Sequence, residues 1–89
     1  MKYSPHLSLE NLVAALKLKL AESPYEAIVS LNQTTATGVE VVIRKFGKST
    51  ITFSAANGDL EIVDQDIALF HKKYIPDVYK WLRDALVTL

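Results

Sequence analysis

The chain has 89 residues, of which 49% are hydrophobic and 22% charged, and its ten basic and ten acidic side chains cancel to a formal net charge of zero. This length predicts a single domain over residues 1–89, near the small end of what an apolar core alone can fold. Balanced charge weighs against a strongly basic nucleic-acid binder and an acidic nucleic-acid mimic alike, and the absence of cysteine excludes disulfides, thiolate catalysis and zinc-thiolate sites.

The N-terminal stretch Met1-Lys2-Tyr3-Ser4-Pro5-His6 has no apolar signal-peptide core, and no apolar run reaches the ~20 residues of a membrane helix. The expectation is a cytoplasmic protein with no membrane association.

A first helix is predicted over residues 9–22, capped by Ser8, with Glu10 in its first turn and a stripe of Leu9, Leu12, Val13, Leu16 and Leu20. Leu7 and Leu12 are spaced for a hydrophobic staple. Ser23-Pro24 ends the helix, because the residue before a proline avoids the α region. A first strand follows over residues 25–32, with Ala27, Val29 and Leu31 on one face and Glu26, Ile28 and Ser30 on the other. Residues 33–38 form a polar connection, too long for a tight hairpin.

The second and third strands are predicted over residues 39–45 and 49–56. A three-residue loop, Lys45-Phe46-Gly47, with glycine in the left-handed position, pairs Ile43 with Ser49, Val41 with Ile51 and Val39 with Phe53. A two-residue Gly47-Lys48 turn would instead put Arg44 on the face of Phe53. The strongest local signal is Asn57-Gly58, the preferred pair for a type I′ turn, in which both central residues need positive φ. It pairs Ala56 with Asp59, Ala55 with Leu60, Phe53 with Ile62 and Ile51 with Asp64, and a fourth strand is predicted over residues 60–63. Thr52, Ser54, Glu61 and Val63 then share the opposite, mostly polar face.

A second helix is predicted from an Asp66 N-cap, with the stripe Ile67, Phe70, Tyr74, Val78, Trp81, Ala85 and Leu89 running through a kink at Pro76. A full break at Ile75 is the alternative. The order α-β-β-β-β-α predicts a two-layer α+β sandwich: a four-stranded antiparallel meander with the N- and C-terminal helices packed on one face.

No motif carries a chemistry. His6 and His71 lack partners at ligand spacing, and His71 reads as a partly buried histidine at the edge of the stripe. Asp59, Glu61, Asp64 and Asp66 lack the spaced loop and central glycine of an EF-hand. There is no Gly-x-Ser-x-Gly elbow and no phosphate loop. No catalytic residue, metal or cofactor is therefore expected, and an enzyme would need a site assembled between subunits from residues such as His71, Tyr74 and Asp64.

Five cations, Arg44, Lys45, Lys48, Lys72 and Lys73, fall near the second hairpin and on the second helix. The α-β-β-β-α portion resembles the double-stranded-RNA-binding domain in topology. That resemblance implies lysines at the N-terminus of the last helix, where this chain has Asp64-Gln65-Asp66, a sequence that repels phosphate. The order also resembles that of some small phage-encoded inhibitor proteins, with no shared motif.

Two sets of apolar residues fall outside the predicted core: Ile28, Val42 and Val63 on the far sheet face, and Ile75, Tyr79 and Leu86 on one flank of the second helix. A contiguous apolar patch marks an interface. The expected function is thus a non-enzymatic protein-binding module, homodimeric through one of these sets. The alternative is a nucleic-acid-associated regulatory protein using the basic hairpin loop.

Overall fold

The hairpins set the register of the whole molecule. The computed structural model describes all 89 residues. Helix α1 (Leu9–Ala21) precedes strands β1 (Val29–Gln33), β2 (Gly38–Arg44), β3 (Lys48–Ala56) and β4 (Asp59–Asp66), and helix α2 (Ile75–Val87) follows a 3₁₀ turn at Leu69–His71. The strands form one antiparallel sheet in the order β1-β2-β3-β4. Both helices bury their apolar stripes on the sheet face that carries Val29, Leu31, Val39, Val41, Ile43, Ile51, Phe53 and Leu60. This is the predicted α+β sandwich, α-β-β-β-β-α.

Asn57 and Gly58 have φ of 53° and 79°, the two left-handed residues that a type I′ turn demands. A Cβ on Gly58 would lie 3.0 Å from the Tyr3 carbonyl oxygen and 3.2 Å from Pro5 Cβ. Gly58→Val is therefore expected to destabilise by more than ~1 kcal/mol, since it combines strain at positive φ with crowding against the N-terminal segment. Chemical denaturation measures the loss, and an unchanged midpoint would contradict the turn.

The register holds from Ala56↔Asp59 through Phe53↔Ile62 and then shifts at a bulge. Ile51 pairs with Gln65 rather than Asp64, and β4 continues through Asp66 rather than ending at Val63. The extra residue opposes Asp64 to Thr52 and Asp66 to Thr50. Without it, Asp64 would face the core beside Ile51, so the bulge keeps that carboxylate on the polar face.

The β2–β3 register is the expected one, with Val39↔Phe53, Val41↔Ile51 and Ile43↔Ser49. The loop itself differs. Phe46, not Gly47, is left-handed at φ 59°, while Gly47 sits at φ 153°. A Cβ on Gly47 would come within 2.6 Å of the Phe70 ring, so the missing side chain serves to admit that ring.

In α1, Ser8 caps as predicted, its hydroxyl accepting from the Asn11 N–H at 3.2 Å, and Leu12, Val13, Leu16 and Leu20 are buried. The Ser23 hydroxyl donates to the Leu20 carbonyl at the far end. β1 starts four residues later than expected. Residues 25–28 form a turn in which the Ile28 and Val29 N–H groups both donate to the Tyr25 carbonyl. Pro24 fixes the exit from α1, and the chain must turn before it can join the sheet.

The second helix is broken, not kinked. Asp66 ends β4, and α2 begins at Ile75 with Pro76 in its first turn, where the missing N–H costs no hydrogen bond. The apolar stripe starts afresh there, and the buried residues are Val78, Leu82, Ala85 and Leu86. Trp81 is displaced to the margin, half-buried and edge-on to Tyr25 with ring centroids 6.5 Å apart.

The N-terminal residues extend the sheet. Lys2 bridges to Asp59, the Tyr3 N–H donates to the Gly58 carbonyl, and the Leu60 N–H donates to the Met1 carbonyl. The Met1 ammonium and the Lys2 side chain both reach the Asp59 carboxylate, and together they hold its carboxyl below the usual range.

Candidate functional site

Three features of the fold bear on function: a buried Ser–His pair, a basic end rich in aromatic residues, and a groove between α2 and β4.

Register places Ser49 opposite Ile43 on the core face, where a hydroxyl needs partners. It finds them in the 3₁₀ turn. The Ser49 hydroxyl accepts from the Ala68 N–H at 2.8 Å and lies 2.6 Å from His71 Nδ1. His71 Nε2 lies 2.7 Å from the Lys45 carbonyl oxygen, which can only accept. Acceptor chemistry therefore puts a proton on Nε2, and in the neutral imidazole Nδ1 then accepts from the Ser49 hydroxyl. Both residues are sealed, at 1% and 0% exposure. A nucleophile and base in this position meet no substrate. Their role is to tie the β2–β3 loop to the segment before α2. Sequence reading put His71 at a boundary and missed Ser49. The available signal was the register, which turned a serine inward with no partner in its own hairpin.

That tie brings the five basic residues to one end of the molecule. Arg44 and Lys48 are paired across the base of the loop, and Lys45 follows in it. Lys72 and Lys73 follow the buried histidine. The ammonium groups of Lys45 and Lys73 each lie 5.1 Å from the centre of the Tyr74 ring. The nearby Lys45 ammonium, chiefly, with that of Lys73, holds the Tyr74 hydroxyl below its usual range. None of the five cations forms an ion pair; the pairs present are Met1–Asp59, Lys2–Asp59 and Lys80–Asp84. On the same segments Phe46 is 92% exposed, Leu69 and Phe70 are exposed as well, and the Phe70 ring lies over Gly47.

The expected apolar interface is not one surface. Val42 is only 2% exposed although it points away from the helices. Register surrounds it with Ser30 and Thr50 across the sheet and Glu40 and Arg44 along the strand. Leu86, also 2% exposed, belongs to the core. Ile28 is half-buried in the turn before β1, where it packs against the core. Neither Val42 nor Leu86 offers surface to a partner, and Ile28 offers little. Val63 stays exposed, beside Ile62.

Ile75 and Tyr79 do meet at a surface. With Ile62, Pro76, Met1 and Arg83 they line a groove of about 500 Å³ between α2 and β4. The Tyr79 hydroxyl is buried with no hydrogen-bond partner, and burial pushes its titration above the usual range. Ile62, 45% exposed, forms the β4 wall. Beyond it, the outer edge of β4 carries Glu61, Asp64 and Asp66 and the bulge, devices that oppose pairing with another strand.

No group of three or more His, Cys, Asp or Glu side chains is placed to hold a metal ion, and no helix is long and apolar enough to cross a membrane. The acids Asp59, Glu61, Asp64 and Asp66 are spread along β4, and Asp59 is already engaged by Met1 and Lys2. Asp64, Tyr74 and His71 do not converge: Asp64 lies on the polar face of β4, and His71 is sealed beneath the hairpin. Comparison with protein-family models, with curated proteins and with solved structures finds no match to this chain.

Proposed function

We propose that the protein is a non-enzymatic binding module whose partner is another protein, and that it self-associates through the groove between α2 and β4. The observation that carries this reading is the apolar groove itself, lined by Ile62, Ile75, Pro76 and Tyr79 and continuous with the exposed side chain of Ile62. A contiguous apolar surface of this kind marks an interface. An 89-residue chain buries a modest share of its surface, and association would cover Ile62 and Val63. The guarded β4 edge favours side-chain packing over strand pairing as the mode of contact.

Light scattering at micromolar concentration tests the proposal. The wild type is expected to be a dimer and Ile75→Lys a folded monomer, because an ammonium buried in the groove beside Arg83 is desolvated without a counter-charge. A monomeric wild type would remove the dimer. Val42→Glu is not a useful probe, since Val42 is buried within the sheet and its replacement is expected to unfold the chain.

The gathered cations support a second reading, binding of nucleic acid at the hairpin end. Arg44, Lys45, Lys48, Lys72 and Lys73 come from two segments distant in sequence, yet the Ser49–His71 tie holds them together with no carboxylate in an ion pair to any of them.

A further inference from the structure

We infer that the hairpin end binds single-stranded nucleic acid, with Phe46 and Phe70 stacking on unpaired bases and the surrounding cations holding phosphates. This deepens the second reading above and rests on it.

Phe46 is the main observation. It is 92% exposed, and its φ of 59° is a conformation that bulky side chains rarely adopt. The fold gains no burial from the ring and bears the strain of the backbone beneath it. Asparagine or glycine would make the same turn more easily. A large apolar ring kept in water on a strained residue points to a ligand with flat apolar faces.

Phe70 supplies a second, better-anchored ring. It lies over Gly47, where any side chain would displace it, and stands edge-on to His71 with centroids 4.7 Å apart at 73°. Because His71 is hydrogen-bonded at both ring nitrogens, Phe70 rests on a fixed support. Half of its surface remains open. Phe70 is therefore oriented before binding and loses little freedom, which favours affinity, while the Phe46 ring is ordered by the ligand itself.

The charges select an anion, and the rings select its form. The cations lie on the loop and just after the 3₁₀ turn, whereas Asp64 and Asp66 occupy the adjoining polar face beside Thr52 and Thr50. The basic zone is thus bounded by Asp64 and Asp66 along the sheet. A duplex hides the faces of its bases, while a single strand exposes them to stacking, which tolerates any sequence. With zero net charge over the chain, attraction is local to this end.

The test is fluorescence anisotropy with a labelled oligodeoxythymidylate of about 12 nucleotides and a duplex of equal length, each at about 50 and about 200 mM salt. The single strand is expected to bind more tightly than the duplex, and to weaken with salt as phosphate contacts release counterions. Phe46→Asn is expected to weaken strand binding by about tenfold without lowering the thermal midpoint, since asparagine accepts the left-handed backbone. Phe46→Tyr is expected to retain binding. Equal affinity for strand and duplex, or no change with Phe46→Asn, would overturn stacking while leaving an electrostatic nucleic-acid surface. No binding of either at low salt would overturn that surface as well. Binding to vesicles containing phosphatidylserine, without binding to the oligonucleotide, would reassign Phe46 and Leu69 to insertion into lipid and overturn the inference.

Discussion

Leu82→Ala is expected to destabilise the protein by about 2–5 kcal/mol and Trp81→Ala by less, the reverse of the order their sizes suggest. Leu82 is 3% exposed and sits in the cluster that joins both helices to the sheet. Truncating it removes buried methylenes and leaves a cavity within the packed core, whose walls have little freedom to close around it. Trp81 is half-buried at the helix margin, and its edge-on contact is with Tyr25, itself in a turn. Water can replace much of what the indole covers, and the turn can adjust. Urea denaturation of the two variants separates these cases. A larger loss for Trp81→Ala would mean that α2 presents the other flank to the sheet.

The reason Trp81 looks central in the sequence is instructive. Ile67, Phe70, Tyr74, Val78, Trp81, Ala85 and Leu89 keep a helical spacing across Pro76, and that continuity suggests one kinked helix. It is accidental. Ile67 and Phe70 belong to the connection before α2, and Pro76 starts the helix rather than bending it. Once the helix begins at Ile75, Val78, Leu82, Ala85 and Leu86 are the residues that face the sheet, and the stripe turns by one position. Periodicity is blind to such a break because it does not record where hydrogen bonding starts.

Turn chemistry was more informative than periodicity. Asn57-Gly58 specifies its backbone, and from it the pairing as far as Phe53 follows. The bulge beyond could be sought from the same pattern, since an unbroken register turns Asp64 toward the core. The β2–β3 pairing was legible for a similar reason: the competing turn would bury Arg44. What the sequence did not disclose was the addition of Met1–Tyr3 to the sheet margin, because no side-chain pattern marks a contact made by backbone groups.

The candidate surfaces divide the same way. The cations near the hairpin were legible as a group, since Arg44, Lys45 and Lys48 are adjacent in sequence. Their union with Lys72 and Lys73 depends on a tertiary hydrogen bond, from His71 to the Lys45 carbonyl. The apolar set was less legible. Alternation assigns Val42 to the outer face correctly, but exposure on a central strand depends on the size of four neighbours, and here they cover it. The groove residue Ile62 was assigned to the buried face and is instead half open, because α2 ends its coverage short of β4.

His71→Phe is expected to cost about 2–4 kcal/mol, a large share of the stability of a domain this size. Phenylalanine fills much of the same volume, so the loss is chiefly one of hydrogen bonding. The Lys45 carbonyl loses the donor at 2.7 Å, and the Ser49 hydroxyl loses its acceptor at 2.6 Å. Ser49 is buried and has no solvent to turn to; each orphaned buried group costs about 1–3 kcal/mol. Ser49→Ala is expected to be comparably harmful, since it strands His71 Nδ1 and the Ala68 N–H together. The double variant should lose less than the sum of the two, because the Ser49–His71 contact is counted once in each single variant. Amide exchange gives a second readout: with the tie cut, protection at Ala68 and around the β2–β3 loop should fall while that of β1 persists. Additive losses, or a neutral His71→Phe, would mean that the pair is incidental and that the aromatic end is held by Phe70 and Gly47 alone.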